Sequence, residues 1–147
     1  MQAGQPLIGC SSKEYRVGGS QPDQGVGGVF FRSKDPARLG DWYAECLGFE
    51  IEAWGETRGT SFSPLDMPRG SFTVWSAFES ATEYFGTSGQ GYMINLVVDD
   101  LDAALARVEA GGATVLEERE EHDFGRFGWF VDPDGNRVEL WEPPEPE

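Results

Sequence analysis

The sequence has one histidine, two cysteines and three methionines, and only eleven basic side chains against twenty-six acidic ones. Each scarcity removes a class of function. A single histidine, His122, cannot build a two-histidine, one-carboxylate metal centre within one subunit. Two cysteines, Cys10 and Cys46, are too few for a disulfide scaffold or a thiolate zinc site. Cys46 stands beside Leu47 on an apolar helical face, where a free thiol behaves as a small hydrophobe. The net charge of -15 repels phosphate backbones and anionic lipid headgroups, which argues against nucleic acid and membrane surfaces as partners. No window approaches the roughly 20 apolar residues of a membrane span. Residues 1–25 carry Gly, Gln and Ser where a signal peptide needs an apolar core, so a cytoplasmic protein is expected. The run Leu7-Ile8-Gly9-Cys10 looks like a lipoprotein cleavage site, but no apolar stretch precedes it.

What is present is enough for one core. With 147 residues, 39% hydrophobic and 13% aromatic, a single domain burying roughly 70% of its unfolded surface is expected. The charge is uneven: residues 1–73 carry a net -2 and residues 74–147 a net -13. Such a surface serves solubility or binds cations.

Residues 1–24 lack an apolar period and read as a flexible N-terminal arm. Residues 25–147 read as one domain: a first module at about 25–86, a second at about 90–142, and an acidic, proline-rich tail at 143–147. In the first module Val26–Ser33 reads as a strand. Asp35-Pro36 then opens a helix with apolar face Leu39, Trp42, Tyr43, Cys46 and Leu47, ended at Gly48. Phe49–Trp54, Thr60–Ser63 and Phe72–Phe78 follow as strands. The same βαβββ order recurs as strand Tyr92–Val98, a helix from Asp99-Asp100 through Leu101, Leu105 and Val108 to Gly111-Gly112, and strands Thr114–Glu118, Arg126–Val131 and Arg137–Trp141. Aligning Asp35 with Asp99 gives a repeat offset of 64 residues, which brings Gly48 onto Gly112.

These residues resemble the vicinal oxygen chelate superfamily, which includes glyoxalase, bleomycin-resistance proteins, fosfomycin-resistance enzymes and extradiol dioxygenases. The carriers are the run from Val29 to Pro36, then Trp42-Tyr43 with Leu47-Gly48-Phe49, then Val98 to Asp102, and Phe130 to Asn136 running into Val138-Glu139-Leu140. The resemblance implies an α+β fold in which tandem βαβββ modules form a cup-shaped, partly closed mixed β-barrel with two flanking helices, usually in a homodimer. Metal-using members hold their ion at positions that fall here on Gly28, Trp75, Met93 and Glu139. Only Glu139 has a side chain that can ligate a hard cation, so neither metal nor other cofactor is expected.

Strand alternation predicts the cup lining independently. If Val138 and Leu140 face the helices, then Arg137, Glu139 and Trp141 face the cup. The same rule turns Met93, Asn95 and Val97 inward on the second module's first strand. In the first module it turns Phe30 and Arg32 inward, and on its last strand Thr73, Trp75 and Ala77. A lining of Phe30, Trp75, Met93 and Trp141 with Arg32, Thr73, Asn95, Arg137 and Glu139 suits a small organic, aromatic ligand sandwiched between Trp75 and Trp141. Three functions fit: a metal-independent small-molecule binder; a glyoxalase-like lyase or isomerase with Glu139 as general base, with or without a divalent metal; and a structural or regulatory dimer with an occluded cup. His122, between Glu121 and Asp123, is either an exposed side chain or a group at the cup mouth.

Overall fold

A computed structural model describes residues 25–87 and 89–145. The arm at 1–24 and the Cys10 motif lie outside the described residues. Helix α1 spans Pro36–Leu47; the short strands β1 (Glu52–Trp54) and β2 (Thr57–Gly59) and a 3-10 turn at Pro64–Asp66 follow. Then come β3 (Ile94–Val97), α2 (Leu101–Ala110), β4 (Thr114–His122), β5 (Gly125–Val131) and β6 (Arg137–Glu142). The α+β class and both helices expected from the sequence are present.

The second module forms one four-stranded sheet in the order β3-β6-β5-β4, with β3 parallel to β6 and the other pairs antiparallel. Helix α2 is the crossover that a parallel β3–β6 pair needs. Its N-cap is Asp100, whose carboxylate accepts from the Ala103 amide, as Asp35 accepts from Arg38 at the start of α1. The caps are therefore 65 residues apart, one more than the expected register. The C-caps, Gly48 and Gly111, are 63 residues apart, one fewer, while the left-handed glycines that follow the helices, Gly48 (φ 73°) and Gly112 (φ 98°), keep the offset of 64.

The first module departs from the sequence reading. Among the described residues its only strands are the hairpin β1–β2, paired Glu52 to Gly59 through Trp54 to Thr57. The strands read at Val26–Ser33, Thr60–Ser63 and Phe72–Phe78 have no ladder partner among the described residues. Alternating apolar residues signal a strand only where an edge is there to receive it. The consequence is exposure: every large apolar side chain found exposed among the described residues falls between Val26 and Tyr92, with Phe30 96% and Leu65 94% exposed.

The helix side of the sheet holds the core. Leu39, Tyr43 and Cys46 of α1 and Leu101, Ala104, Leu105 and Val108 of α2 pack on Phe130, Val138 and Leu140. Helix α1 is fixed to the second module at three points. Trp42 Nε1 donates to the Gly111 carbonyl (2.9 Å), Arg107 Nε donates to the Cys46 carbonyl (3.1 Å), and the Tyr43 hydroxyl donates to Asp132 Oδ2 (2.9 Å). Asp132 is buried, and its Oδ1 accepts from the amides of Asp134 and Asn136, each at 3.0 Å. One carboxylate thus shapes the β5–β6 turn and holds the helix. Burial and Asp132 together push the Tyr43 hydroxyl well above the ordinary phenol range.

Removing that carboxylate should be expensive. Asp132→Ala strands a buried hydroxyl and two turn amides and should cost about 3 kcal/mol in urea unfolding, whereas Tyr43→Phe should cost about 1–2 kcal/mol. In the double variant the two losses should fall short of adding, because both delete the same bond. Strict additivity would show that Asp132 acts on the turn alone.

Candidate functional site

Strand β6 runs through the interior of the sheet, and its alternation splits the molecule into two apolar clusters. Val138 and Leu140 belong to the helix-side core, while Trp141 joins Phe127 and Trp129 of β5 on the opposite face, with Tyr84, Met93 and Val97 packed against them. The expected inward set Arg137, Glu139 and Trp141, with Met93, Asn95 and Val97, therefore shares the face away from the helices.

Glu139 is the centre of that face. The ladder sets it opposite Asn95 on β3 and opposite Trp129 on β5, so all three side chains project the same way. Asn95 Nδ2 donates to Oε1 (2.6 Å); Trp129 Nε1 (3.0 Å) and the Tyr84 hydroxyl both donate to Oε2. Glu139 is only 5% exposed. Burial pushes its carboxyl above the usual range, against the pull of the three donors, which favour the charged form. Tyr84 is itself pushed above the ordinary phenol range by burial and by Glu139.

Tyr84 comes from the stretch at 79–91, where the first module ends and the second begins, which carries no strand or helix among the described residues, and nothing in the sequence pointed to it. Its ring stacks on Phe78 (5.3 Å between centroids, 8° between planes) and stands edge-on to Trp129 (5.9 Å, 85°). Trp129 was legible: the alternation used for β6, applied to β5, turns Phe127 and Trp129 to this face and Phe130 to the core.

The same segment holds Arg137. Gln90 Oε1 accepts from the Arg137 amide (2.7 Å) and Gln90 Nε2 donates to its carbonyl (3.0 Å). Gly86, at φ 82°, passes so close that a Cβ there would lie 3.0 Å from Arg137 Cδ. The guanidinium sits over the Trp129 ring, with Cζ 5.4 Å from the centroid.

Other expected site residues are placed differently. Trp141 is on the right face but 2% exposed, its indole donating to the Phe124 carbonyl (2.8 Å) and stacked on Phe127 (6.2 Å, 6°), with Phe72 at 5.1 Å. A ring so covered has no free face for a ligand. Trp75 is 79% exposed and makes no ring contact among the described residues, so the expected Trp75–Trp141 sandwich is not assembled within this chain. Phe30, Arg32 and Thr73 are exposed and lie outside any strand. His122 Nε2 donates to Glu120 Oε1 (2.9 Å), not Glu121 or Asp123, and its ring stacks on Phe124 (4.9 Å, 21°).

Residues 28–141 match the glyoxalase-like domain, and the chain belongs to that family. Among solved structures it is similar to TnmS3, an antibiotic binding protein from Streptomyces sp. CB03234, at 23% identity and TM-score 0.50, covering 84% of this chain and 99% of that one. It is also similar to lactoylglutathione lyase from Agrobacterium tumefaciens, at 21% identity and TM-score 0.50, covering 83% of this chain and 96% of that one. At this identity both likenesses speak for the fold alone. No curated protein matches significantly.

The divalent metal used by enzymes of this superfamily does not fit the residues present. Of the four corresponding positions, Gly28, Trp75 and Met93 offer no hard-cation donor, and both oxygens of Glu139 already accept hydrogen bonds.

The Glu139 network has a pH signature. A carboxyl whose folded pKa is raised stabilises the fold below its ordinary value of 4.5 and loses that contribution as pH rises through the folded pKa. Glu139→Gln stays neutral throughout. Urea unfolding of both proteins should therefore show the wild type losing stability relative to the variant as pH rises from 4.5 towards neutrality. A gap independent of pH would show that Glu139 titrates as it does unfolded.

Proposed function

We propose that this chain is a metal-independent binder of a planar aromatic small molecule, cytoplasmic and homodimeric, in the manner of glyoxalase-fold binding proteins. The observation that carries this is the state of Glu139. A general base must reach the proton it takes, and this carboxylate is buried with three of its roughly four acceptor sites filled, one on Oε1 by Asn95 and two on Oε2 by Tyr84 and Trp129. It orders an indole and a phenol rather than offering itself to a substrate. The face it organises is aromatic: Phe127, Trp129 and Trp141 are buried beneath it, and the half-buried Tyr84, Met93 and Arg137 are what it presents, a composition suited to organic ligands. TnmS3, of the same fold, is described as an antibiotic binding protein; the proposal extends that kind of role to this chain.

The exposed apolar side chains of the first module support pairing. Exposed apolar side chains concentrated in one half of a small acidic domain favour self-association, and docking this half against a second copy would bring Phe30, Arg32, Thr73 and Trp75 into the walls of a cup. Light scattering at micromolar concentration should give about twice 16.2 kDa. Phe30→Asp should return the mass to that of one chain, since Phe30 is almost wholly exposed in the isolated subunit and its loss leaves the core intact. A monomer mass for the wild type would leave Trp75 outside the site.

Ligand binding is tested by a thermal-shift screen of planar aromatic compounds, followed by tryptophan-fluorescence titration of each hit. Trp75→Ala should weaken such a hit by at least about 2 kcal/mol, roughly 30-fold. The compound should be recovered unchanged. Turnover of the ligand, abolished in Glu139→Gln, would replace the binder with an enzyme.

A further inference from the structure

The four basic side chains of the acidic half do not share one fate. Arg107 donates to the Cys46 carbonyl, Arg119 to the carbonyls of Leu116 and Glu118, and Arg126 to Asp102 and Glu142. Arg137 differs. No carboxylate among the described residues lies within 4.0 Å of it, and its Nε is buried without an acceptor. The nearest acid along the strand, Glu139, has both oxygens committed to Asn95, Tyr84 and Trp129, and Glu120 is bonded to His122.

In a chain with twenty-six acids and eleven bases, a partly buried guanidinium left without an anion is unusual, because pairing would relieve its desolvation. Its pose is also fixed. Gln90 grips the Arg137 backbone from the stretch at 79–91, Gly86 crosses its aliphatic stem, and the Trp129 ring lies under the guanidinium. A planar fork held over an indole and lacking an anion is a preorganised seat for an oxyanion, since guanidinium and carboxylate match in two parallel hydrogen bonds.

We infer that the ligand of this site is an aromatic acid: a planar ring system carrying a carboxylate or a comparably acidic oxygen, its rings beside the half-buried Tyr84 and its anion on Arg137, which covers the buried Trp129 ring. This rests on the aromatic-binder reading and narrows it. The acidic surface sharpens selection. An anion is repelled elsewhere on the protein, but at a Debye length of about 8 Å that repulsion is screened and the contact with Arg137 decides.

Two isosteric probes separate the charge from the rings: 2-naphthoate and 2-naphthamide, titrated against the 147-residue chain by tryptophan fluorescence at 150 mM and 500 mM salt. The acid should bind at least about tenfold tighter than the amide at low salt, and the margin should shrink at high salt. In Arg137→Gln the preference should vanish while the amide binds as before, which also reports that the variant is folded. Equal binding of acid and amide by the wild type alone would overturn this inference and leave the aromatic-binder reading standing. A preference that survives in Arg137→Gln would place the anion elsewhere and overturn it too. If neither naphthyl probe nor its benzoyl and anthroyl counterparts bind, the aromatic reading itself fails, and this inference with it.

Discussion

The carboxylate of Asp132 is where the two halves of the molecule are joined. A strand-turn-strand unit and a helix from the other half of the sequence have no covalent reason to meet, and apolar contact between them is non-directional. Asp132 adds direction. It accepts two amides of its own turn through one oxygen and the Tyr43 hydroxyl through the other, and Ser33 reaches the same turn by donating to Asp134 Oδ2 at 2.6 Å. With the rotation of α1 thus fixed, Leu39 and Cys46 can meet α2 and the sheet, and the Cys46 carbonyl meets Arg107.

From that anchored turn, β6 sets out with its faces already assigned. A slip of one residue would send Glu139 into the helix-side core and Val138 to the other face. Nothing on the helix side could receive a carboxylate: its neighbours there are Leu39, Leu101, Leu105 and Phe130. The cost of burying a carboxyl without partners, several kcal/mol, is thereby turned into register control. The site and the fold depend on the same alternation.

What the sequence revealed divides along the same line. The second module was legible because its signals are local: Asp100 and Gly112 bound a helix with 3.6-residue periodicity, and β3 and β6 alternate with period two. The inward placement of Met93, Asn95, Arg137 and Glu139 followed from that period. The first module was less legible in its strands, because Val26–Ser33 and Phe72–Phe78 carry strand composition but find no ladder partner among the described residues. Trp141 was assigned the right face but not its cover, since a period says nothing of Phe127 and Phe72 lying over the ring. Tyr84 was invisible because its place is set by a hydrogen bond to a residue 55 positions away, in a segment with no repeating pattern.

Glu139 is the one expected site residue whose role the geometry recasts. Hydrogen bonds to a charged group contribute roughly 1.5–3 kcal/mol each, but burial still holds the carboxyl above its usual range, so donors from Asn95, Tyr84 and Trp129 offset only part of a desolvation penalty of several kcal/mol. Stability therefore does not explain its presence, since an apolar residue of similar size would serve as well. What an apolar residue cannot do is accept from a phenol and an indole at once and hold their rings nearly perpendicular, 85° apart. The carboxylate acts as a template: it gives two aromatic side chains from distant segments one relative orientation, and it does so two residues from a guanidinium lying over one of those rings. Any ligand meeting this face meets an orientation fixed before binding, and so loses less affinity to ordering the protein.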